Sequence, residues 1–186
     1  MRVLNILLIA FVVVCIAACK SDKEKNVINV LTEDSLTDTV MNDSTIYGRY
    51  IEGGMSTMTI ENEMGDTLTF LLEDNSRSAT VHGGLYEGDK IAVIADKTTD
   101  GELFASIVIN VTSLIGKWTN IAKNFEIEDG GTVRSSLQSE SNPYTSWKIY
   151  NGKLLLNADT FDIYRLSPDS LSIENANGIF DYKRQR

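Results

Sequence analysis

Three kinds of side chain in this sequence could react, move a proton or hold a metal. They are the thiols of Cys15 and Cys19, the imidazole of His82, and the closely spaced carboxylates Glu126 and Glu128. His82 is the only histidine. A hydrolytic triad needs nucleophile, base and orienting acid to converge, and neither Ser78 nor Asp89 belongs to an elbow such as Gly-x-Ser-x-Gly. With Gly83-Gly84 after it, His82 is expected in a solvated turn. Glu126 and Glu128 alternate with Phe125 and Ile127 and so share the wet face of one strand, whereas a glycosidase sets its two acids across a cleft. One histidine and no spare thiol are too few ligands for zinc. The glycine pairs at 53–54, 83–84 and 130–131 lack the Lys-Ser/Thr of a phosphate loop. The acids Glu33, Asp34, Asp38 and Asp43 lack the alternating spacing and glycine of a calcium loop. The expectation is a protein that is not an enzyme and carries no metal and no cofactor.

The thiols have a different use. Met1-Arg2 is a short cationic start, and Val3 to Ala18 is apolar apart from Asn5. A spanning helix wants about 20 apolar residues; a shorter run ending in small residues is the pattern of a signal peptide. Ile16-Ala17-Ala18-Cys19 resembles the bacterial lipobox, in which small residues precede a cysteine whose sulfur takes a diacylglycerol before cleavage. That resemblance implies a signal peptide over residues 1–18 and a membrane anchor through lipid on Cys19. Several acyl chains make such attachment stable, at about 0.8 kcal/mol per buried methylene. Cys15 lies within the apolar run as a small hydrophobe, so the mature chain has no disulfide and must rest on its core. Resemblance to lipoproteins of Gram-negative bacteria implies, from Lys20 after the cysteine, the outer membrane, and both its periplasmic and its outward face are compatible with Ser21-Asp22-Lys23-Glu24.

Loss of Arg2 with the leader leaves 16 of the 17 basic residues against 26 acidic ones, a formal balance of −10. Such a body repels phosphate backbones and anionic headgroups, which excludes nucleic acid as a partner and leaves the lipid to hold the membrane. Residues 19–45 mix charge with Thr, Asp, Ser and Asn and bury too little to offset ordering, so they are expected to form a lipidated tether.

From Ile46 onward short apolar–polar alternations recur, including Met58–Ile60, Leu68–Leu72, Ile91–Ile94, Phe104–Val111, Trp147–Tyr150, Phe161–Leu166 and Ile179–Tyr182. Period two with β-branched and aromatic enrichment marks half-buried strands. Turn pairs such as Asp100-Gly101, Asn151-Gly152 and Asn177-Gly178 separate them. No helical stripe follows residue 20, so the class is all-β. Two small antiparallel barrels are expected: an OB-like one over 46–112 with about five strands, and a second over 113–186 with about seven.

The second unit carries an ordered series of motifs. It opens with Leu114-Ile115-Gly116-Lys117-Trp118, continues through Phe125-Glu126-Ile127-Glu128-Asp129-Gly130-Gly131 and Trp147-Lys148-Ile149-Tyr150-Asn151-Gly152, and reaches Phe161-Asp162-Ile163-Tyr164-Arg165-Leu166. In this it resembles the short lipocalin-like domains of gut-bacterial lipoproteins. The resemblance implies that Gly116 bends the chain into the first strand and that Trp118 plugs the closed end. It also implies that an arginine of the last strand, here Arg184, lies across that tryptophan. It implies a binding role, with Tyr144, Trp147, Tyr150, Phe161 and Tyr164 lining a site for a small apolar or amphipathic ligand. The competing expectation is an interaction or scaffold protein of the envelope, whose barrels are filled and which binds another protein through an edge strand or loop.

Overall fold

The computed structural model describes residues 42–135 and 142–185, which belong to one compact unit, Met41–Arg186. The signal peptide, Cys19 and most of the tether lie outside the described residues.

The first half contains β1 (Ile46–Gly53), β2 (Thr57–Glu61), β3 (Thr67–Leu71), a small pair β4 (Glu73–Asp74) and β5 (Arg77–Ser78), β6 (Thr80–His82), β7 (Lys90–Lys97) and β8 (Leu103–Asn110). The sheet runs β3-β2-β1-β7-β8, and Leu71 then meets Phe104 in parallel, so that five strands close into a barrel. The strand β6 adds in parallel along the rest of β8. Inward positions bring together Met58, Ile60, Phe70, Ile91, Val93, Ala105 and Val108. Gly48 permits the tight curl, since a Cβ there would stand 2.7 Å from the Glu61 carbonyl oxygen.

A single helical turn, α1 (Val111–Leu114), joins the halves. It is too short to carry a periodic stripe, which is why the sequence reads as helix-free. The Asn110 side chain caps it by accepting from the Ser113 backbone N–H at 2.8 Å, the usual use of asparagine at this position.

The second half is a meander of β9 (Gly116–Thr119), β10 (Asn124–Ile127), β11 (Val133–Ser135), β12 (Trp147–Tyr150), β13 (Lys153–Leu156), β14 (Asp159–Leu166), β15 (Ser170–Asn175) and β16 (Gly178–Gln185). Its order is β11-β10-β9-β16-β15-β14-β13-β12. The ends of that sheet approach each other where Thr132 bridges Ser146, with Val133 N–H donating to Thr145 at 3.0 Å and Trp147 N–H to Gly131 at 2.9 Å. An eight-stranded, nearly closed antiparallel barrel results, one strand more than the alternation resolves, because β11 is only three residues long.

The two barrels share packing. On β8, Ala105 and Val108 face the first interior, while Ile107 and Ile109 face away and join the core of the second barrel together with Ala92 and Val111. A strand covered on both sides carries a near-continuous apolar run, and Phe104–Ile109 is one. The Asn151-Gly152 turn (φ 48° and 76°) lies against this outer face, so close that a Cβ on Gly152 would come within 2.9 Å of Ile107 Cδ1. Asp43, Ser44 and Thr45 are read as tether from their composition, yet they close this seam. Asn151 Oδ1 accepts from Ser44 N–H at 2.8 Å, and Asn151 N–H donates to Thr45 Oγ1 at 2.9 Å. A polar side chain that caps a turn leaves no hydrophobic signature in the sequence.

Candidate functional site

The first strand of the meander fixes the closed end of the eight-stranded barrel. Trp118 is 1% exposed and its indole N–H donates to Leu114 O at 2.8 Å. Arg184 pairs with it across β9 and β16 and stacks on the ring at 4.2 Å from the centroid. The guanidinium donates to the carbonyls of Ile115 (2.8 Å), Pro168 (2.6 Å) and Ser113. Burial lowers its pKa, an effect that Asp169 opposes. Gly116 has φ +142°, and a Cβ there would strike Arg184 Nη1 at 2.2 Å. Glycine is the residue that holds such a φ without strain and leaves the guanidinium its place.

The interior above this plug holds rings. Tyr182, Phe125, Tyr144, Phe161 and Phe180 touch in sequence, edge to face, with centroids 5.0, 5.4, 6.4 and 6.1 Å apart. Tyr144 and Phe161 thus meet inside the barrel. Trp147 is half-buried at the rim of the core, its indole N–H donating to Glu128 O at 2.7 Å. Tyr150 lies on the outer face with the Lys148 ammonium over its ring at 4.5 Å. Tyr164 is 62% exposed. The five aromatics therefore do not converge on one cavity, which corrects the expected lining. Strand parity decides it: Phe161 and Ile163 point inward and Tyr164, between Ile163 and Arg165, turns out at an irregularity of register.

The reactive groups stay apart. His82 ends a strand and is half-buried, which corrects the expected solvated turn; burial lowers its pKa and keeps the ring neutral near pH 7. Glu128 pairs with Arg134 at 2.7 Å. No group of three or more His, Cys, Asp or Glu side chains suited to a metal occurs among the described residues.

Space for a ligand lies on the outside. A broad open depression of about 960 Å³ runs along β14–β16 and the β9–β10 turn, with Thr119, Ile121, Arg165, Ile179, Asp181 and Lys183 on its walls. Ile121 is fully exposed and Ile179 is more than half exposed. Sequence reading missed these residues because isolated isoleucines beside a turn give no period. A second, smaller cavity of about 350 Å³ lies on the first barrel near the seam.

Residues 110–185 match the family described as lipocalin-like, so the second barrel is a lipocalin-like domain, as its motif series implies. The chain is also similar to a solved structure, a lipocalin-like protein from Bacteroides thetaiotaomicron VPI-5482. The identity is 28% over 39% of this chain and 97% of that one, with a TM-score of 0.35. No curated protein matches the chain.

Proposed function

We propose that this is a non-enzymatic, lipid-anchored lipoprotein of the outer membrane, held through Cys19, whose lipocalin-like domain takes a small amphipathic molecule on its outer depression. The first barrel, in the same reading, is OB-like and serves as the platform on which that domain is docked. The observation that carries the reading is the depression itself. Exposed Ile121 and Ile179 offer an apolar bed beside the cations Arg165 and Lys183, two cations against the one Asp181 carboxylate, which already accepts from the Ser172 hydroxyl, on a body otherwise rich in negative charge. An apolar tail with an acidic head suits that pairing, and the volume falls within the ~300–1,000 Å³ usual for small-molecule sites. The ring-filled interior argues against a ligand inside the barrel. Closure of β3 on β8 leaves the five ring strands without a free edge for strand addition, and the strand left at the end of that sheet, β6, is only three residues long.

Native mass spectrometry of the protein purified from its own envelope tests this. Added mass that leaves on mild activation, and is lost in Ile179→Asp but kept in Tyr150→Ala, is the expected result. A bare-chain mass, or co-purification of another protein in its place, would reject the ligand in favour of a scaffold. Metabolic labelling with a clickable fatty acid, lost in Cys19→Ala, checks the anchor.

A further inference from the structure

The smaller cavity differs in chemistry from the depression and lies elsewhere. We propose that it is a second binding site, for an uncharged saccharide. Tyr47, Arg49, Glu61, Glu63 and Lys90 line it, with Val111 from α1 beside them. Register explains how they meet: Arg49 stands opposite Glu61 on β2 and opposite Lys90 on β7, and Tyr47 is two residues before Arg49 on the same face of β1.

Each side chain is set for a neutral, hydroxyl-rich ring. The Tyr47 hydroxyl donates to Ile149 O at 2.7 Å across the seam, which fixes the ring while leaving it 42% exposed. Burial, with Asp43 nearby, pushes its pKa up to about 12, so the phenol stays protonated. A fixed aromatic face is a platform for the C–H face of a sugar. Arg49 donates Nη1 to Gly88 O at 2.6 Å, which orients the guanidinium and leaves further N–H groups to donate. The carboxylates of Glu61 and Glu63 are acceptors for hydroxyls.

Charge narrows the ligand. Lys90 is held by both oxygens of Asp129 at 2.7 and 2.8 Å, so its charge is already matched. What remains is one guanidinium against two carboxylates. A phosphate or carboxylate would meet Glu61 and Glu63, and a protonated amine, a donor only, would leave the free Arg49 N–H groups without an acceptor. A polyol meets donors and acceptors without that conflict. A cavity of about 350 Å³ is at the small end of the ~300–1,000 Å³ range and suits one or two sugar rings.

Isothermal titration tests the site on the full chain in a detergent that has no sugar headgroup. The probes are glucose, N-acetylglucosamine, maltose and cellobiose, with inorganic phosphate and glycylglycine as charged comparisons. At least one saccharide should bind. Its affinity should fall about tenfold in Glu61→Gln, the size of one lost charged hydrogen bond. It should fall similarly in Tyr47→Ala, yet persist in Tyr47→Phe, which keeps the ring, and in Ile179→Asp, which alters only the outer depression. No heat with any saccharide, binding of phosphate or glycylglycine instead, or saccharide binding unchanged in Glu61→Gln would each overturn the proposal.

Discussion

Arg184 is committed to architecture. Its guanidinium spans three backbone carbonyls and covers Trp118, so Arg184→Met removes the charge and leaves Ser113, Ile115 and Pro168 without their donors. Loss of about 2–4 kcal/mol is expected from chemical denaturation, with the tryptophan fluorescence shifting red as the plug loosens. His82 acts through pH. Its folded pKa lies below the usual 6.5 because burial penalises the cation. Its contribution is therefore complete above 6.5 and is lost as pH falls through the folded value. Stability measured from pH 7 down to pH 5 should drop more steeply in the natural protein than in His82→Gln. Equal slopes would mean that the ring gains its proton without penalty.

At the scale of elements, β8 carries the most responsibility, because its two faces serve two cores. Ile109 is 1% exposed and packs in the second core, although it belongs to a strand of the first barrel. Ile109→Ala should cost about 2–5 kcal/mol, and the loss should appear in probes of the lipocalin-like domain, such as Trp118 emission. An effect confined to the first barrel would show that the seam is soft. These elements differ in how far the sequence discloses them. The strands of both barrels are legible because alternation and Asn-Gly or Asp-Gly turns are local. The stack of Arg184 on Trp118 is also legible, through the motif series. The parallel contact of Leu71 with Phe104 that closes the first barrel is not, since nothing near either residue encodes a partner 33 positions away. The crevice around Tyr47 escapes for a related reason: Tyr47 and Arg49 look like ordinary outward residues until Glu61 and Lys90 arrive from other strands. Tyr164 shows the opposite failure. Residue type groups it with Phe161, whereas parity along β14 sets the two on opposite faces.

For the whole molecule, the shared packing predicts that the two barrels unfold as one cooperative body. Ala92, Ile109, Val111 and Leu114 lie in the same cluster as Trp118 and Phe125, and Asn110, fully buried, ties the joint by donating to Gly84 O and Asp89. Thermal or urea unfolding should give one transition, with coincident midpoints from far-ultraviolet circular dichroism and from the fluorescence of Trp118 and Trp147. Both tryptophans report the second barrel and the circular dichroism reports both, so separated midpoints would reveal independent domains. A chain cut to residues 113–186 should lose its sharp transition, because the outer face of β7 and β8 is missing from its core.

The clamp of Asp43–Thr45 on Asn151 has a mechanical side. Any pull that reaches the folded body along the chain from its N-terminal side arrives first at Ser44 and Thr45, whose partner is a turn of the other barrel. Behind them Tyr47 is bonded to Ile149 of that same barrel, and β1 is flanked by both β2 and β7. Tension therefore loads the seam before it loads either sheet. The contacts met first are a few exposed hydrogen bonds, while β1 behind them is held by backbone ladders on both sides. The seam between the barrels thus yields before either sheet is asked to unravel.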